Sequence, residues 1–152
     1  MAKTFINYNE NNGFYIGESF IQLAMYYIYT EALKPQYVFS NKANVLLDMK
    51  YKIDGIQSTY FTLMWSSLLN GSSDEQSMIA VLQNTRINLQ NKGAYIAISE
   101  LQALDSDDFD FKYFFGKNFP TSELIKIIDA LIQIMQGTWT STNYDMNIDY
   151  KY

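Results

Sequence analysis

"GFYIGESFIQLAMYYIYTEAL", residues 13–33, decides how this chain is read. It carries no charge from Ser19 to Thr30, and Glu18 and Glu31 close that window. A membrane span needs about 20 predominantly apolar residues, so the stretch is too short to cross a bilayer. On a helix, Ile16, Phe20, Leu23, Tyr27 and Ile28 recur with the 3.6-residue period. Ile21, Met25 and Tyr29 add a second apolar stripe. A helix apolar nearly all round sits at the centre of a domain. Pro35 ends it, because the residue before proline is pushed out of the α region. The stretch predicts a core helix over residues 16–34. A second reading sets its tyrosines as a face against a partner.

Working outward, "FPTSELIKIIDALIQIMQGTW" predicts a helix over residues 122–136. Leu124, Ile127, Ile128, Leu131 and Met135 form its apolar stripe. Thr121 or Ser122 suits the N-cap, and Gly137 a left-handed stop. "SSDEQSMIAVLQNTRINLQNKG" predicts a helix over 74–91, opened by a capping box of Ser73 and Gln76. Arg86 interrupts its apolar stripe. "GIQSTYFTLMWSSLLNG" predicts a buried helix over 56–70, with Tyr60, Met64, Trp65 and Leu68 packed. "SELQAL" predicts a short helix over 99–104.

Three stretches alternate instead. In residues 46–54, Leu47, Met49, Tyr51 and Ile53 oppose Asp48, Lys50, Lys52 and Asp54. Residues 144–150 set Tyr144, Met146, Ile148 and Tyr150 on one side, and 94–98 is a shorter case. Period two reads as a strand with one buried face. A helical reading of 41–53 stays open, since Ser40 can cap it. Asp54-Gly55 is a turn signal. The fold class expected is mainly α: one helix-dominated domain, residues 1–152, of four or five helices with a minor β element. The alternative is α+β. A chain of 152 residues buries roughly 70% of its unfolded surface without a disulfide staple.

Composition removes several chemistries. Histidine and cysteine are both absent. Ser-His-Asp and Cys-His catalysis, His-ligated zinc or haem, and disulfide frameworks go with them. No glycine-rich phosphate loop occurs. Carboxylate chemistry remains, as a glycosidase-type pair or an all-oxygen metal site. No pair of carboxylates is placed at a catalytic separation by the sequence, so a non-enzyme with no cofactor is expected. The formal charge is −5 and the pI about 4.6. This argues against nucleic acid as a partner and favours a basic one. Residues 1–20 lack the basic start and apolar core of a signal peptide, so cytoplasm is expected. Arg86 is the sole arginine among 11 basic residues. That bias, with frequent asparagine, matches AT-rich coding and a bacterial source.

The one dense acidic run is "LDSDDFDFKYFF", residues 104–115, with Asp105, Asp107, Asp108 and Asp110. It lacks the glycine and glutamate of an EF-hand loop. It reads as a solvated loop, a docking patch or a hard-cation site. Interleaved phenylalanines can anchor a partner while the carboxylates steer it. They can equally point inward from a strand, since Phe109, Phe111 and Tyr113 alternate.

Two stretches, "NNGFYIGESFIQLAMYYIY" and "FPTSELIKIIDALIQIMQGTW", resemble those of small immunity proteins of bacterial polymorphic-toxin systems, of the contact-dependent inhibition and type VI secretion kind. The resemblance implies a cytoplasmic protein that binds and inhibits a cognate, basic toxin domain. On that reading the partner-binding residues are Asp105, Asp107, Asp108 and Asp110, with Phe109, Tyr150 and Tyr152 as anchors. Two other classes stay open. One is a structural or regulatory interaction domain, homodimeric through its tyrosines. The other is a carboxylate enzyme or small-ligand binder, which requires a concave pocket with a perturbed Glu or Asp.

Overall fold

The computed structural model describes residues 2–9, 12–56 and 61–151. Seven helices make up 55% of it, with a few small strands, which defines an α or α+β domain. The chain opens with a hairpin absent from the sequence reading. Strand β1 (Lys3–Asn7) pairs antiparallel with β2 (Gly13–Gly17). Thr4, Ile6 and Tyr8, and then Phe14 and Ile16, point inward. Asn9 turns the chain with φ 46°, a left-handed backbone that asparagine tolerates.

Helix α1 (Glu18–Ala32) follows directly, so Ile16 belongs to the strand before it. Its core character is as expected. Phe20, Ile21, Leu23, Ala24, Met25 and Ile28 are buried, and Tyr26, Tyr27 and Tyr29 are half-buried against the core. Helix α1 packs against α2 (Lys42–Ile53), α4 (Gly71–Asn91) and α7 (Thr121–Gln136). The α4–α7 pair is the most extensive helix contact. Arg86 lies at its edge and pairs with Asp129 at 2.7 Å. No helix among the described residues is long and apolar enough to cross a membrane.

The expected strand at 46–54 is the helix α2 instead. Val45, Met49, Lys52 and Ile53 are buried, a spacing of four, seven and eight, while Leu47 and Tyr51 are exposed. Half of the alternating set thus faces water, and the helical period wins because α1 offers a surface to a helix. Asn41, not Ser40, is the cap, accepting from the Asn44 N–H. Ser40 is engaged elsewhere: its N–H donates to Asp74 at 2.9 Å. Asp74 also accepts the Asn70 N–H at 2.8 Å, so α4 starts at Gly71 without the Ser73–Gln76 box.

Lys52 is a buried cation in α2, 2.5 Å from Asp48 and over the Phe61 ring. Burial pushes its ammonium below the ordinary lysine range, against the pull of Asp48. Removing one member of a buried ion pair is costly where it strands the other charge out of water, but the Asp48 carboxylate is partly exposed. Lys52→Met is therefore expected to leave stability unchanged or raise it, because Asp48 can rehydrate. A urea midpoint well below that of the wild type would contradict this.

The expected helix over 56–70 shrinks to α3 (Trp65–Leu68). Tyr60 lies outside the described residues. Phe61, Leu63 and Trp65 are buried, and Met64 between them is exposed. That alternation belongs to an extended segment. The Phe61 N–H donates to Glu18 at 3.4 Å, and its carbonyl accepts from the Thr4 hydroxyl. These contacts tie it across the start of α1.

The remaining elements are short. Strand β3 (Tyr95–Ile96) pairs with β4 (Phe119–Pro120), and α5 (Ile98–Gln102) and α6 (Phe109–Phe114) lie between them. Helix α7 starts at Thr121, whose hydroxyl donates to the Gly93 carbonyl at 2.5 Å rather than capping the helix. Gly137 ends it at φ 76°, as expected. Of residues 144–150 only β5 (Tyr144–Asp145) is strand, parallel to β2. The Met146 N–H still donates to the Tyr15 carbonyl at 2.8 Å, but β2 ends at Gly17, two residues further on, where α1 begins. The alternation persists in burial for three of the four: Met146, Ile148 and Tyr150 point inward, whereas Tyr144 is exposed. Side chains of α7 replace the missing ladder, with Lys126 donating to the Asn147 carbonyl and Glu123 accepting from the Asp149 N–H.

Candidate functional site

The acidic run is a shaped surface, built on the C-terminal end of α2. Ser106 is buried and donates to the Ile53 carbonyl at 2.6 Å. The Asp107 N–H donates to Asp54 at 3.0 Å, and Lys50 donates to the Asp105 carbonyl at 3.1 Å. Gly55, at φ 72°, lets the chain approach: a Cβ there would stand 2.5 Å from the Asp108 carboxylate. A side chain at that position would be strained at this φ and would displace the Asp108 carboxylate.

Asp108 acts locally. Its carboxylate caps α6, accepting from the Phe111 N–H at 3.0 Å, and accepts from Gln22 of α1 at 3.0 Å. It is half-buried and holds the loop, so it is a framework residue rather than a free charge. Once capped, residues 109–114 take a helical turn, and the strand alternative for them is ruled out. Phe111 points into the core, whereas Phe109 and Tyr113 emerge together at 67% and 62% exposure. Their rings stack at 6.4 Å with an interplanar angle of 10°. The side chain of Asp105 is 91% exposed, and Asp107 and Asp110 are exposed beside the stack.

The structure thus brings together Asp105, Asp107, Phe109 and Asp110, and adds Tyr113. The signal for Tyr113 was its spacing of four from Phe109, which counts only if the run is helical. Tyr150 does not join them. It is 7% exposed, ringed by Phe20, Phe115 and Phe119, and its hydroxyl donates to the Lys117 carbonyl at 2.9 Å. A ring spent on the core cannot anchor a partner. Tyr152 lies outside the described residues. Among the described residues no group of three or more carboxylates is placed to hold a metal ion.

A second feature lies on another face. Helix α1, the end of α4 and α5 border an open cavity of about 450 Å³. Tyr27 donates to Glu100 at 2.5 Å, and Lys92 donates to the same carboxylate oxygen at 2.9 Å. Burial and the neighbouring Glu100 push the Tyr27 hydroxyl well above the ordinary tyrosine range. Partial burial opposes ionisation of Glu100, but the bonds from Tyr27 and Lys92 outweigh it and hold the carboxyl below its usual range.

Glu31 is 2% exposed. It accepts from Asn88 at 2.6 Å, from Lys34 at 2.8 Å and from the Tyr37 hydroxyl. Burial works against its charge, and these donors still draw its pKa down. Both glutamates are therefore anions at neutral pH. Each is already paired with a lysine, Glu31 with Lys34 and Glu100 with Lys92, and neither supplies a proton donor there.

Compared with protein families, curated proteins and solved structures, the chain matches none of them.

Proposed function

We propose that this chain is a non-catalytic, mainly α protein-binding domain of the immunity type. Its acidic, aromatic surface engages a basic toxin domain and blocks it. The observation that carries this reading is the exposed Phe109–Tyr113 stack flanked by Asp105, Asp107 and Asp110. Solvated acidic loops have no need of two large rings held together in water. Binding surfaces centre on such aromatic anchors, with charge at the rim to steer association.

The test is capture on the immobilised protein from lysate of its source organism, at low and high salt, with co-expression of any candidate toxin. One basic domain bound in stoichiometric amount and released by salt supports the reading. With that partner, the triple reversal Asp105→Lys, Asp107→Lys, Asp110→Lys is expected to slow association by ~10-fold or more and to flatten its salt dependence. Unchanged binding at low salt would remove the acidic surface from the interface. Sedimentation as a dimer, with no partner captured on co-expression, would favour the self-assembling interaction domain instead.

A further inference from the structure

The cavity between α1, α4 and α5 plays no part in the docking surface. Its volume of about 450 Å³ falls within the range of small-molecule sites. Leu89 and Leu104 are buried and give it an apolar floor. Tyr26 and Tyr27 form a wall, their rings edge to face at 5.4 Å. Two charge pairs line this apolar body: Glu31 with Lys34 at 2.8 Å, and Glu100 with Lys92 at 2.9 Å. The two ammoniums and two carboxylates cancel, so no net cation or anion is favoured. Charge complementarity selects a ligand that carries both signs on a compact aromatic or aliphatic body.

We propose that this cavity binds a zwitterionic aromatic amino acid. The side-chain ring lies on Leu89 and Leu104 against the two tyrosines, where edge-to-face contact adds to area burial. The ligand's ammonium meets Glu100, whose two bonds from Tyr27 and Lys92 both fall on Oε2. Its carboxylate meets Lys34, which is half exposed and shares its acceptor oxygen on Glu31 with Asn88. This site is independent of the docking surface, and either can fail alone.

The test is calorimetric titration of the full chain with L-phenylalanine, phenethylamine and 3-phenylpropionate, backed by ligand-induced NMR shifts. Phenylalanine is expected to bind with a Kd at or below about 1 mM, and the single-charge analogues roughly tenfold more weakly. Ala103→Trp places a ring at the exposed mouth and is expected to abolish binding without lowering the melting temperature. Glu100→Gln, at a partly exposed carboxylate, is expected to weaken binding about tenfold and decides the matter if the tryptophan variant does not fold. The proposal is overturned by equal binding of the three compounds, by binding that survives both substitutions, or by no binding of any compound at about 10 mM.

Discussion

Phe119→Ala is expected to destabilise the protein by about 3–5 kcal/mol, the cost of emptying a filled aromatic site. Phe119 is fully buried in β4. Its ring lies 4.9 Å from that of Tyr150, 5.6 Å from Phe115 and 6.0 Å from Phe20. Those four rings come from four places in the chain: α1, the end of α6, β4 and the C-terminal tail. Rings packed from four separate segments cannot all shift toward one gap, so it does not close cheaply. Urea denaturation followed by far-UV circular dichroism measures the loss, and near-UV dichroism reports the ring cluster directly. A loss below about 1 kcal/mol would mean that the tail does not pack on β4 as described. Because the acidic surface is built on α2 and α6, the variant should keep partner binding wherever it stays folded.

Glu31→Ala is expected to cost about 2–5 kcal/mol, through what it leaves behind. Lys34 can return to water. The Tyr37 hydroxyl is buried and the Asn88 amide faces the same site, and neither regains its acceptor so easily. Asn84 still donates to Tyr37 at 2.7 Å, which holds the loss short of a fully orphaned network. The same carboxylate sets a pH limb. Its folded pKa lies below the ordinary glutamate value of 4.5. A depressed carboxylate contributes stability above its unfolded pKa and loses it as pH falls through the folded one. Asp74 acts in the same direction, with the Asn70 N–H the largest cause, below its ordinary 3.8. Stability should therefore hold steady through neutral pH and fall from about 4.5 downward. Glu31→Gln should lose stability at pH 7 and show a shallower acid limb, as read from urea midpoints between pH 7 and 3. An acid limb as steep as the wild type's would assign the sensitivity to other carboxylates.

Much of the helical framework was legible. Helices α1, α4 and α7 are long enough for the 3.6-residue stripe to repeat several times, so burial and local propensity agree. The shorter elements were misread for a common reason. In α2 and its cap, the eight residues 47–54 alternate by coincidence while also satisfying the helical period, and no window that short separates the two. The segment before α3 is uncharged, which suits a buried helix, yet Phe61, Leu63 and Trp65 alternate inward. The N-terminal hairpin was missed because its polar, Asn-rich residues hide the inward set Thr4, Ile6, Phe14 and Ile16. The acidic run was found as a cluster, but composition could not say which member of it would be consumed as a cap.

By itself, then, the sequence determined the chemistry that is absent, the acid charge, and the long helices whose apolar stripes are local facts repeated along the chain. Tertiary structure alone decided what each remaining residue does. Asp108 became a cap while Asp105 stayed in water, and Tyr150 went into the core while Phe109 and Tyr113 stacked outside it. Glu31 and Glu100 came to border one cavity from separate helices. Such outcomes depend on which element lies opposite, through burial and hydrogen bonds between residues dozens of positions apart. No local window contains that information.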